Sequence, residues 1–125
     1  MDHEWTAVVC PDERIDALRK AMFRDAERLV QALGNGQQGA LAGLAQQLLA
    51  TAREQFEAEE RRLREARAPS LVRHAREHQR FLADLGAMIA LAARGDARAV
   101  VALKPERWIP EWLSAHARTD RDLAA

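Results

Sequence analysis

Three histidines and two carboxylates recur at positions where a helix would be expected to carry apolar residues: Glu59, then His74 with His78, then His116 with Asp120. His74–His78 and His116–Asp120 are both i, i+4 pairs, so each stacks on one side of its helix. Burying an imidazole or a carboxylate is costly unless a partner compensates, and one cation compensates several at once. Three neutral imidazoles with one or two carboxylates suit Fe(II), Zn(II), Mn(II) or Co(II). The expected chemistry is a metal centre inside a helical bundle.

Helical periodicity runs through the chain, with no strand alternation and no internal repeat. Helix A is predicted from about Asp12 to Leu33, closed by Gly34-Asn35-Gly36. Helix B spans about Ala40 to Ala66 and stops before Pro69. Ser70 reads as the N-cap of helix C, which ends near Gly95. A short helical piece covers Asp96 to Leu103, Pro105 and Pro110 interrupt, and helix D runs from about Pro110 to Leu123. Short turns between four helices predict an all-α, up-down-up-down four-helix bundle with a short N-terminal arm, one domain over the whole chain.

At about 100° per residue, each helix has a definite inward arc. On helix A it holds Ile15, Leu18, Met22, Ala26, Leu29 and Leu33, with Arg19 inside it. On helix B, Leu41, Leu44, Leu48 and Ala52 lead on to Gln55 and Glu59. On helix C, Leu71, Leu82, Leu85 and Ile89 share an arc with His74 and His78. On helix D, Ile109, Trp112 and Leu113 share one with His116 and Asp120. Folding the chain back at the A–B turn places Arg19 opposite about residue 54, beside Gln55. Folding at the B–C turn places Glu59 opposite about residue 77, beside His78. The inward polar groups are thus expected in one layer.

Composition narrows the function. The 125 residues carry 19 basic and 19 acidic side chains, for zero formal net charge, with no basic block that would suit nucleic acid or an acidic membrane. A lone cysteine, Cys10, excludes an intrachain disulfide and fits a reducing compartment. No signal segment or membrane span is evident, and the expectation is a cytoplasmic protein. Pairing with a second copy through exposed apolar residues is open, but no stripe compels it. His3 and Cys10 precede helix A and are read as incidental. Trp108 and Trp112 are read as core packing, and the run Glu57 to Arg67, apart from Glu59 and Leu63, as a solvated face.

Glu59, the His74-xxx-His78 pair and Trp112-Leu-Ser-Ala-His116 resemble the bacteriohemerythrins and the wider hemerythrin-like domains. Trp5, the segment Gln55-Phe56-Glu57-Ala58-Glu59-Glu60 and the four-helix layout extend the likeness over nearly the whole chain. The resemblance implies an up-down bundle holding two irons bridged by a glutamate and an aspartate, which carries, stores or senses dioxygen and related small ligands. The chain departs from that pattern in three places. Arg19 and Gln55 stand where the family has the two terminal histidines of one iron, and Asp120 follows His116 one residue early.

The implied centre keeps one ion, iron or else zinc or manganese, held by Glu59, His74, His78, His116 and Asp120. Arg19, paired with Glu59 or Asp120, would supply the missing positive charge; the alternative is an Arg19 that snorkels to the bundle surface. Gln55 would border the vacated space or hydrogen-bond a neighbouring carboxylate. Family-type oxygen carriage draws one electron from each of two ferrous ions, and a single Fe(II) supplies one, so reversible carriage is not expected. The readings left open are a mononuclear site for dioxygen, nitric oxide or a small anion, a mononuclear non-haem metalloenzyme using the vacated space as a substrate pocket, and a metal-free signalling or interaction domain. Of these, the non-enzymatic binding protein leads.

Overall fold

A computed structural model describes residues 12–119. The N-terminal arm with His3, Trp5 and Cys10, and the expected end of the last helix with Asp120, lie outside the described residues. Within them the fold is an all-α bundle with no strand: α1 (Glu13–Gly34), α2 (Leu41–Glu65), α3 (Leu71–Ala93), a short α4 (Ala97–Ala102) and α5 (Pro105–Thr119). A single 3-10 turn, Gln38–Ala40, leads into α2. No described helix is long and apolar enough to cross a membrane.

Helix ends follow from local chemistry. The Asp12 carboxylate accepts from the backbone N–H groups of Arg14 and Ile15 at 3.0 and 3.1 Å, satisfying two orphan donors of α1. At its other end, Gln37 N–H reaches Ala32 C=O at 3.0 Å and Gly36, at φ 67°, takes the left-handed turn. The same closure recurs after α3, with Gly95 at φ 73° and Asp96 N–H on Leu91 C=O. After α2 it is made without glycine: Arg67 holds φ 51° while Ala68 N–H bonds Leu63 C=O at 2.9 Å.

Two expectations about helix ends need correction. Ser70 stands at the N-cap of α3 but makes no side-chain cap, because its backbone is already helical at φ −80°, ψ −3°. The last long helix starts at Pro105, not at Pro110, which lies inside it. Pro105 occupies the first turn, where its missing N–H is harmless. Pro110 removes only the bond to the Glu106 carbonyl, on a residue whose side chain is exposed.

Antiparallel neighbours are fixed by cross-helix contacts. Arg62 lies 3.6 Å from Asp12, and the Thr51 hydroxyl donates to Asp25 at 2.6 Å, as a fold-back one residue or so past the expected point requires. The core divides into two. A large cluster includes Met22, Leu29, Leu48, Phe56, Phe81 and Leu85. A small one joins Ile15 to Leu63, one helical turn beyond Arg19 and Glu59. The polar layer lies between them.

The inward arcs are rotated slightly from the expected ones. On α3 the buried set is His74, His78, Phe81, Leu85 and Met88, so Leu71, Leu82 and Ile89 are only half-buried flanks. On α1, Phe23 and Ala32 are buried where Leu18 and Leu33 are intermediate. On α5, Trp112 is half-buried and Ala117 is in the core.

Candidate metal centre

Glu59 from α2, His78 from α3 and His116 from α5 meet in the interior, at 0%, 1% and 4% exposure. Each offers a ligand atom to one group. Glu59 Oε2 lies 3.1 Å from His78 Nε2 and 3.1 Å from His116 Nε2, and the two Nε2 atoms are 3.2 Å apart. Ligand atoms bonded to one ion at about 2.0–2.2 Å stand roughly 2.9–3.5 Å from one another, so all three edges have the length of a coordination polyhedron's edge.

With Glu59 ionised, protons leave one edge of this triangle unsatisfied. With a proton on each Nε2, both imidazoles donate to Glu59 but oppose two donors across the 3.2 Å edge. With one proton removed, a lone pair faces the carboxylate instead. A cation at the centre makes all three edges favourable, because each atom then presents a lone pair to it.

The outer nitrogens support the same arrangement. His78 Nδ1 lies 2.9 Å from Glu60 Oε2. His74 Nδ1 lies 3.2 Å from the Ser70 carbonyl oxygen. His116 Nδ1 faces Glu77 Oε2 at 3.9 Å, an electrostatic contact rather than a hydrogen bond. With a metal bound, a proton on each Nδ1 would leave each Nε2 lone pair turned inward, the usual support for a metal-ligating histidine. Ring stacking holds the planes: Phe56 lies 4.0 Å from His78 at an interplanar angle of 2°, and Trp112 lies 4.6 Å from His116 at 15°.

Without a metal, burial opposes ionisation of Glu59, but hydrogen bonds from His116 and His78, protonated at Nε2 in that state, and their charges outweigh it and hold the carboxyl well below the usual carboxylate range. Glu59 is therefore an anion in the core, as a metal ligand must be.

His74 stands beside the triangle rather than within it. Its ring centroid is 6.0 Å from that of His78 and 5.8 Å from that of His116. Its Nε2 is buried and has no hydrogen-bond partner among the described residues. Asp120 lies outside the described residues. Arg19 is 2% exposed, which overturns the snorkelling alternative, and its Nη2 donates to Asp16 on its own helix at 2.7 Å. The expected pairing of Arg19 was with Glu59 or Asp120; Asp120 lies outside the described residues, and the Glu59 carboxylate faces the two imidazoles. Gln55 is 0% exposed, yet neither amide atom has a partner among the described residues, so it does not bond a neighbouring carboxylate.

Sequence reasoning missed Glu60 and Glu77. Glu60 was read as part of a solvated face, but its carboxylate reaches His78. Both acids directly adjoin a site residue in the chain, a signal that 19 acidic residues make uninformative on its own. Trp112, expected as core packing, does pack against the core at Phe56 and Phe81, and it also stacks on His116. In comparisons with known proteins, no family model, no curated protein and no solved structure matches the chain.

Proposed function

We propose that the chain is a hemerythrin-like metal-binding protein that holds a single divalent ion, iron or a similar metal, in the bundle core. It binds dioxygen, nitric oxide or another small ligand at an open coordination position. The observation that carries this reading is the buried triangle of Glu59, His78 and His116, whose edges of 3.1–3.2 Å are frustrated for protons and fitting for a cation. The orphaned Nε2 of His74 is a third imidazole for the same ion, and Asp120 is proposed as a further carboxylate. Bound there, a divalent metal would supply Lewis acidity and, as iron, one-electron redox chemistry.

Arg19 and Gln55 supply no imidazole for a second ion, which supports one metal rather than two. Elemental analysis of the purified protein tests this. One equivalent of metal per chain is expected, lost in His78→Ala and in His116→Ala, because too few strong ligands remain. Stoichiometric, equally tight metal in both variants would refute the assignment, and two equivalents in wild type would refute the mononuclear part. A mononuclear non-haem metalloenzyme is the second reading. It is favoured by the unpaired Gln55 amide beside the space where a second metal's ligands are missing, and oxygen-dependent turnover of an added substrate would distinguish it.

A further inference from the structure

We infer that a small ligand with both a lone pair and a proton on oxygen binds between the metal position and the Gln55 amide, at the end of the polar layer away from His74. This rests on the metal reading above. Gln55 is fully buried, and both its Nε2 and Oε1 lack a partner among the described residues. Leaving a buried polar atom unpaired is costly, so two on one side chain call for a partner.

The chemistry of the amide selects that partner. A cation would satisfy Oε1 and leave two N–H groups unpaired. An aprotic anion would satisfy the N–H groups and oppose Oε1. A protic oxygen ligand answers both.

The spacing suits a ligand on the metal. Gln55 and Glu59 are one turn apart on the same buried face of α2, with side chains of equal length. One helical turn rises about 5.4 Å, close to a metal–ligand bond of about 2 Å followed by a hydrogen bond of about 2.9 Å. Gln55 and His74 therefore ask for different partners. His74, with its Nδ1 on the Ser70 carbonyl, offers inward only a lone pair, which a cation satisfies. Because α2 and α3 run antiparallel, Gln55 lies at the other end of the layer, on the side of the triangle away from His74.

The test uses the full chain loaded with Co(II), whose visible spectrum reports exogenous ligands. The probes are bicarbonate and nitrate, planar oxyanions of similar shape of which only the first carries a proton. Gln55→Met keeps the length of the side chain and removes the amide. The expected result is unchanged cobalt stoichiometry, metal-free protein melting no lower than wild type, and a preference for bicarbonate over nitrate reduced about tenfold, the equivalent of about 1.4 kcal/mol of hydrogen bonding. An unchanged preference overturns the inference, as does a wild-type spectrum indifferent to both ions. Metal-free Gln55→Met melting well below wild type also overturns it, by showing a structural partner for the amide. Gln55→Leu is read in the same way should Gln55→Met fail to fold. The underlying metal reading fails separately: it falls if His78→Ala keeps its cobalt, whereas cobalt lost in His78→Ala with a preference indifferent to Gln55 removes this inference alone.

Discussion

The imidazole of His78 is gripped on every side: Phe56 against its face, Glu60 on Nδ1, and Glu59 and His116 on Nε2. The outer carboxylate fixes which nitrogen carries the proton and raises the basicity of the other. Glu60→Ala should therefore weaken metal binding by roughly 10–100-fold, read by competition with a chromogenic chelator, while the far-ultraviolet dichroism stays that of a helical bundle. Glu77→Ala should do less, because its contact with His116 spans 3.9 Å. Equal, negligible effects of both would show that the rings are oriented by packing alone. A second residue-scale prediction concerns Arg19 and Gln55. Replacing both with histidine should add two imidazoles on α1 and α2 and bring a second metal equivalent, whereas each single replacement leaves the second ion under-coordinated. A double variant that still holds one ion, even with a residue inserted between His116 and Asp120 to restore register, would show the two positions to be ordinary core polar groups. At this scale the ligand types were legible in the sequence, because an inward imidazole conflicts with its apolar neighbours. Glu60 was not, because an acid that reaches inward looks in sequence like any surface acid.

At the scale of elements, the ends of α1, α2 and α3 were readable from turn chemistry, and the start of α5 was not. Gly36 and Gly95 announce left-handed closures, and Pro69 marks the end of α2. Pro110 reads as a break by the same logic, yet α5 continues through it, since packing of Ile109, Leu113 and His116 outweighs one missing hydrogen bond. The faces were readable to within a small rotation. Phe81 and Met88 rather than Leu82 and Ile89 fill the centre, because Phe81 packs against Phe56 and Trp112 across the bundle. Arg67, at φ 51°, makes a closure that costs about 1 kcal/mol in a residue with a Cβ. Arg67→Gly should raise the melting temperature by roughly 3–6 °C, and Gly95→Ala should lower it by a similar amount. At Gly95 nothing lies within 4 Å of an added Cβ, so that loss would be one of backbone conformation alone. A lower melting temperature for Arg67→Gly would mean that the arginine side chain contributes more than its backbone conformation costs.

For the molecule as a whole, the polar layer divides the core and joins three helices: Glu59 on α2, His78 on α3 and His116 on α5. A metal there would cross-link α5, the last helix among the described residues, to the α2–α3 hairpin, and would bind the folded state only. Free metal at about a hundred times its dissociation constant should then stabilise the fold by about 2.7 kcal/mol. A chelator should reverse the rise in melting temperature, and His116→Ala should abolish it. The central claim, one ion held by three histidines and carboxylate oxygen, is tested most directly by X-ray absorption at the edge of the bound metal. The expected spectrum has three imidazoles and carboxylate oxygen at about 2.0–2.2 Å, no second metal within about 4 Å, and one imidazole fewer in His74→Ala. A metal–metal shell, or a first shell of oxygen without imidazole, would contradict it.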